Sequence, residues 1–595
     1  MQAFAQMENL DVYEAVDARL LTRQQRRAAL RAINLIKRKR DGTLKGRTVA
    51  DGSVQRALYD KVETASPTVA TDALLLSILI DAHEGRDVAT ADVADAYLKA
   101  YMTDLVIMKF TGETVDILCK MNPKHRKFVV VENGVRVLYV KLIKALYGCV
   151  KSALLWHELF STTLEGMGFK INPYEPCIAN YMIDDKQCTV AWYVDDTKIF
   201  HVDQGVVSRV IQQIEGHFGK MAVARGKEHT FLGMNIEYTD DQKAIISMRN
   251  HLEEAIAECD MEIKREAATP ARRTLFKVDP KANLLNKHQA ETFHRIVAKL
   301  LYVSIRARAD ILLPVAFLCT RVSKSTEQDR GKLRRVLEYV SGTLDLTHTL
   351  GADDLCKLLR TWVDASYAVH TDMRSHTGGI MSFGLGGLVT KSTKNKPNSK
   401  SSTEAELIGA SNYLPNVIWV KLFMEAQGYH IHENFFEQDN ESAIKLEKNG
   451  RRSAGPKSRH VDIRYFWIKD RVKEHGITIR HCPTLRMLAD FFTKPLQGAL
   501  FRKFRDVILG YKNVNSLDLA PRPELEERVG DMRSSGSGTD GPVPGSAVND
   551  DRTSVRLNVS WADVVKGTRG QQQSNNNESV SRDHSLETIQ LAKRV

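Results

Sequence analysis

The chain has 595 residues, a formal net charge of +12 and 43% hydrophobic residues, with a pI near 9.1. That length implies several domains, the apolar content suffices for packed cores, and the basic balance favours a polyanionic partner. Eight cysteines without a Cys-x-x-Cys pair indicate neither a zinc ribbon nor a disulfide framework. No apolar run reaches transmembrane length and the N-terminus lacks a signal-peptide layout, so a soluble cytosolic or nuclear protein is expected.

In chain order, Ile33 to Arg47 sets an Asp41-Gly42 turn between two basic arms, which predicts a hairpin. Its basic cluster fits a localisation patch or a solvated surface. Thr71 to Gly85 starts on an N-cap residue, Thr71, and ends in glycine, so a buried helix is predicted with His83 at its end or on the surface. Val88 to Asp92 is a short strand ending on an acid, followed by an aromatic-containing stretch through Tyr97. Ala191 to Phe200 predicts a β-hairpin with Asp195 and Asp196 at its tip. Adjacent carboxylates between apolar runs raise each other's pKa and are costly to desolvate, a cost that a divalent cation relieves. Polymerases that join nucleotides through two metal ions, about 3.5–4 Å apart, need carboxylates from two neighbouring strands. Asp92 supplies the third.

Beyond residue 355, Leu358 to Ser366 predicts a strand carrying Asp364, followed by strands at 377–383 and 387–391. Ser401 to Ile408 opens a long helix toward Gly428 apart from Pro415, and Thr403 with Glu406 fits a capping box. Phe435 to Asp439 is a further strand ending on an acid, Ile477 to His481 is another strand, and Asp490 is expected in a late helix. After about residue 515 the sequence turns polar and of low complexity, which predicts disorder.

Together these segments resemble the reverse transcriptase plus RNase H region of copia-type (Pseudoviridae) LTR retrotransposon Pol polyproteins. The carriers are Tyr193-Val194-Asp195-Asp196, the Asp92 to Leu98 box, and Lys144 to Trp156, which lacks the family's usual Gln. They continue through Phe293 to Tyr302, Arg308 to Ile311 and Val336 to Thr343, then Ser401 to Glu406, Asp439 to Ala443, Arg459 to Tyr465 and Leu488 to Leu496, in family order.

The resemblance implies an α+β or α/β multidomain fold, a right-hand polymerase of fingers, palm and thumb followed by an RNase H-like mixed sheet. The expected divisions are fingers and palm to residue 265, thumb or connection at 266–355, the RNase H-like domain at 356–510, and a disordered tail at 511–595. It implies an RNA-directed DNA polymerase that also degrades the RNA strand of a hybrid, with two Mg²⁺ or Mn²⁺ ions per active site. Asp92, Asp195 and Asp196 would hold the first pair, and Asp364, Glu406, Asp439 and Asp490 the second, with Glu404 the other choice for Glu406. Lys39 and Arg47 would hold the triphosphate, Tyr97 would exclude a 2′-hydroxyl, and Tyr193 would pack by the primer end. Gly148, Lys151 and His460 are candidate nucleic-acid contacts; a histidine at such a helix start equally serves as a cap. Phe231-Leu232-Gly233-Met234 fits a primer-gripping hairpin or an ordinary strand and turn.

Expected partners are an RNA template, the RNA/DNA hybrid, a tRNA-type primer, dNTPs and the element's other Gag and Pol proteins, with no membrane. The expected location is a cytoplasmic virus-like particle, with nuclear access. The sequence shows no Asp-Thr-Gly or Asp-Ser-Gly protease box, integrase zinc cluster or Cys-rich knuckle. The chain thus looks like the C-terminal part of a Gag-Pol polyprotein. The competing expectation is an inactive remnant that only binds nucleic acid.

Overall fold

The computed structural model describes residues 2–38, 42, 44–263, 266–449 and 462–518. Lys39, His460 and nearly all of the 511–595 tail lie outside the described residues. The described residues up to Ser516 form one compact unit.

The predicted N-terminal hairpin is an antiparallel pair, Leu30–Arg38 with Leu44–Ala50, in which Leu35 opposes Arg47. It is the edge of a sheet ordered Tyr13–Ala15, Val135–Leu142, Ile107–Thr111, Leu30–Arg38, Leu44–Ala50. Its inner strands bury Met108, Phe110, Leu138 and Val140.

A second sheet runs Ala222–Arg225, Asp87–Asp92, Asp196–His201, Lys186–Tyr193, Glu175–Ile183, Lys170–Asn172. Helix Gln204–Phe218 packs on its two acid-bearing strands. Helix Thr71–Glu84 buries residues on every side of its axis. It touches this sheet through Asp81, bonded to Lys198, and the third sheet through strands Ala244–Ser247 and His348–Ala352. A helix enclosed in this way needs an apolar surface all round. Thr71 is its first helical residue and not its N-cap, which is Ala70. The Ala70 N–H is already taken by the Glu175 carboxylate at 3.2 Å. A tertiary contact there does the work of a capping side chain.

The third sheet is ordered Glu228–Phe231, Met234–Tyr238, Ala244–Ser247, His348–Ala352, Gly384–Leu385, all antiparallel. Between its third and fourth strands lie helices Lys287–Ser304, Leu312–Cys319 and Glu327–Ser341.

The fourth sheet runs Lys391–Asn398, Arg374–Ser382, Leu358–Ser366, Glu433–Gln438, Ile477–His481. Its first two pairings are antiparallel and its last two parallel. Parallel neighbours need crossovers, and helices Ser402–Ala426 and Asp462–Glu474 lie in those connections. This mixed sheet with its crossover helices is the RNase H-like layout expected after a right-hand polymerase.

Three local expectations change. The expected strand at 387–391 is absent up to residue 390; Gly384 and Gly386 have positive φ, and pairing resumes only at Lys391, opposite Gly379. Asp490 lies in a short 3₁₀ turn, Leu488–Phe492, with Pro495 close behind to stop a longer helix. Helix Ser402–Ala426 runs unbroken through Pro415, because buried Tyr413, Leu414 and Val417 hold both flanks. Among the described residues no helix is long and apolar enough to cross a membrane. The eight cysteines are free thiols.

Candidate active sites

At the first carboxylate site, Asp92 stands directly opposite Asp196 on adjacent antiparallel strands. Asp196 also closes the predicted hairpin opposite Tyr193, leaving Val194 and Asp195 as its two-residue turn. Val194 adopts φ 58°, an unfavourable conformation for a β-branched residue. Two hydrogen bonds hold it there. The buried Trp156 indole donates to the Val194 carbonyl at 2.6 Å, and the Val93 N–H donates to the Asp195 carbonyl at 3.0 Å. Strain held by surrounding contacts in this way fixes the direction of the turn. Burial, with the charges of Asp195 and Asp92 beside it, pushes the Asp196 carboxyl up to about 6.

The N-terminal hairpin reaches this site. The Arg47 guanidinium lies 4.9 Å above the ring of Tyr147, and that ring is 4.7 Å from the ring of Tyr97. Burial and the charge of Asp195 push the Tyr147 phenol up to about 12. Arg47, Tyr97 and Asp195 therefore all lie close to Tyr147. Gly148 has a backbone task, since at φ 93° a Cβ would lie 2.0 Å from the Ala50 carbonyl oxygen. The Ala50 N–H donates to the Tyr147 carbonyl at 2.8 Å, stitching this loop to the hairpin. Lys151 pairs with Asp104 at 2.8 Å and lies 4.5 Å above the Tyr59 ring. Phe231 to Met234 forms a tight hairpin turn through Leu232 and Gly233, both with positive φ. The Tyr302 hydroxyl clamps it by donating to the Leu232 carbonyl at 2.8 Å.

At the second site Asp364, Glu406 and Asp439 each offer an oxygen, and these atoms lie within 4.8 Å of one another. They come from the central strand, the long helix and the end of strand Glu433–Gln438. Asp490 completes the set through Lys494, whose ammonium is 2.6 Å from Asp490 and 3.3 Å from Asp364. The Thr493 hydroxyl donates to the other oxygen of Asp364. Burial and the neighbouring acids raise the pKa of Glu406 and Asp439 and push Asp490 up to about 7. Glu406 Oε2 is buried without a hydrogen-bond partner among the described residues. A buried all-oxygen donor set with an orphaned carboxylate oxygen fits a hard divalent cation.

The capping box is not Thr403 with Glu406. Ser401 is the N-cap, its hydroxyl accepting from the Glu404 N–H at 3.2 Å. Glu404 accepts in return from the Lys400 N–H at 2.8 Å. Glu404 is thus spent on the helix end, and Glu406 reaches the acid cluster.

Residues 12–273 match the model of the reverse transcriptase (RNA-dependent DNA polymerase) family. The chain is 24% identical over 80% of its length to the retrovirus-related Pol polyprotein from transposon TNT 1-94 of Nicotiana tabacum, of which the match covers 35%. It is 26% identical over 78% of its length to that from transposon RE2 of Arabidopsis thaliana, covering 30% of it. The Ty1-GR2 Gag-Pol polyprotein of Saccharomyces cerevisiae matches at 23% over 79% of the chain and 26% of its own length. Residues 12–273 therefore match the reverse transcriptase family, and the chain as a whole resembles copia-type Pol polyproteins. It spans between about a quarter and a third of the length of these relatives. Among solved structures, a foamy viral protease-reverse transcriptase in complex with double-stranded DNA aligns over 80% of this chain and 68% of its own, at 12% identity and a TM-score of 0.44.

Three further residues stand at the sites, and the sequence alone gives none of them a role. Tyr147 was visible only as part of the Leu-Tyr-Gly segment. Lys494 lay in the Thr-Lys-Pro-Leu segment, and its reach to Asp364 depends on tertiary folding. His481 ends the strand whose partner carries Gln438, directly before Asp439, and a positive charge on its ring would offset a small part of the rise in the Asp439 pKa. That imidazole therefore lies near Asp439.

Proposed function

We propose that this chain copies an RNA template into DNA at the Asp92–Asp195–Asp196 site and cleaves the RNA strand of the resulting hybrid at the Asp364–Glu406–Asp439–Asp490 site. The observation that carries the reading is the register of Asp92 against Asp196 beside a strained turn presenting Asp195. Carboxylates from two neighbouring strands are what a two-ion nucleotidyl transfer requires. Bound Mg²⁺ or Mn²⁺, two ions per site, would activate the attacking hydroxyl or water and stabilise the leaving oxygen.

The chain's own residues do the rest. Arg47, held above Tyr147, meets the triphosphate with its planar fork of donors, and Lys39 adds a second cation. Tyr97, packed against Tyr147, blocks the ribose 2′-position and so selects deoxynucleotides. Tyr193 packs by the primer end, while Lys151 and His460 contact nucleic acid. In the second site His481 serves the cleaved phosphate. The hybrid is recognised by groove shape and 2′-hydroxyls, with affinity from phosphate contacts that weaken as salt rises. On this reading residues 1–265 are fingers and palm, 266–355 thumb or connection, and 356–510 the RNase H-like domain. Primer, dNTPs and the element's Gag and other Pol proteins are the partners, in a cytoplasmic particle with nuclear access.

Primer extension on poly(rA)/oligo(dT) with Mg²⁺ and dTTP, beside the Asp195→Asn variant, tests the polymerase half. Extension that disappears in the variant supports it. Salt-sensitive hybrid binding without extension identifies a remnant that keeps the fold and not the turnover.

A further inference from the structure

We propose that Lys494 is an internal counter-cation of the four-acid site, its ammonium filling the Asp364–Asp490 corner so that only the Asp364–Glu406–Asp439 corner is open to a divalent ion in the resting protein. The inference rests on the reading of this cluster as a metal site. Asp364 belongs to both corners. One of its oxygens faces the ammonium at 3.3 Å, and the other accepts from Thr493. Asp490, four residues before Lys494, holds the same ammonium at 2.6 Å. The remaining corner is the one whose three oxygens already lie within 4.8 Å.

The lysine arrives from outside. Its side chain is 40% exposed, whereas those of Asp364 and Asp490 are 2% and 6% exposed. A flexible four-carbon stem with an exposed path can withdraw where a buried one cannot. Four carboxylates packed this closely repel one another strongly unless a cation stands among them. Lys494 supplies one positive charge from the chain itself, and a second divalent ion at this corner has to displace it. The site therefore loads in order, first the open corner and then, as Lys494 swings out, the corner containing Asp490.

The test counts Mn²⁺ by electron paramagnetic resonance on the full chain, with Asp92→Asn and Asp196→Asn removing the polymerase site. The parent is expected to hold one tight ion and Lys494→Met two, while Lys494→Arg stays at one. In EDTA, Lys494→Met is expected to melt below the parent, and Mn²⁺ is expected to raise its midpoint by more. Two tight ions in the parent, or one in Lys494→Met, overturns the proposal, as does an EDTA melting point of Lys494→Met at or above the parent's. Binding of no Mn²⁺ by either chain would remove instead the metal-site reading beneath it.

Discussion

The two carboxylate sites of this chain are built on opposite plans. In the first, three acids sit on one strand end and one hairpin, and their directions are set by the backbone through register and the strained Val194 turn. In the second, four acids converge from a strand, a helix, a second strand end and a 3₁₀ turn, and a lysine from the chain stands among them. The cation nearest in sequence to the first site, Lys198, is fully buried and pairs instead with Asp81 of helix Thr71–Glu84. A hairpin end leaves its acids more accessible than the second cluster does, although partial burial and mutual repulsion still raise the Asp196 carboxyl. A buried cluster needs a counter-charge or bound protons, and here the raised acids and Lys494 supply both.

The largest effect separates the two plans directly. Asp195→Asn is expected to reduce primer extension at least about a hundredfold, the scale of removing one charge-stabilising group at a reacting centre, while hybrid cleavage stays near the parental rate. Asp439→Asn should do the reverse. Loss of both activities in either variant would show that the sites are not independent.

Next comes the buried pair beneath the second sheet. Asp81 accepts from Lys198 and, at 3.1 Å, from the Tyr238 hydroxyl. Lys198→Met leaves a buried acid unpaired and should cost about 3–5 kcal/mol. Lys198→Met with Asp81→Leu should recover much of that loss in a denaturant melt. A single variant as stable as the parent would mean that the pair does not support the sheet.

This contrast also explains what could be read in advance. Asp92, Asp195 and Asp196 were legible because strand ends and hairpin turns are local patterns in the chain. Asp364, Glu406, Asp439 and Asp490 were legible only through their motifs, and the choice between Glu404 and Glu406 needed the helix start. The capping residues were misassigned at both Thr71 and Thr403. In each case another donor or acceptor, the Glu175 carboxylate or the Ser401 hydroxyl, was already in place. Nothing in the local pattern at Lys494 or His481 announces a partner more than a hundred residues away or on a neighbouring strand.

A smaller effect is expected at the seam between the hairpin and the first site. Gly148→Ala puts a side chain at φ 93° and 2.0 Å from the Ala50 carbonyl oxygen. It should cost about 1–3 kcal/mol from backbone strain, and more where Ala50 cannot give way. Because that seam carries Tyr147 beneath Arg47, the KM for dNTP should rise while hybrid cleavage is unchanged. An unchanged KM would detach the seam from nucleotide binding.

The smallest expected difference lies in pH. A carboxyl whose pKa is raised keeps its proton to a higher pH, and a metal-binding carboxylate must first lose it. Each activity is therefore present above the raised pKa and lost as pH falls through it. Asp196 is pushed up to about 6 and Asp490 to about 7, so at Mg²⁺ concentrations below saturation hybrid cleavage should fail first as the solution is acidified. Primer extension should follow at lower pH. Saturating Mg²⁺ should pull both acid limbs downward, because the ion competes with the proton for the same oxygens. If both limbs coincide and ignore Mg²⁺, the acid loss is set by a group common to both activities, such as the fold itself, and not by the two clusters.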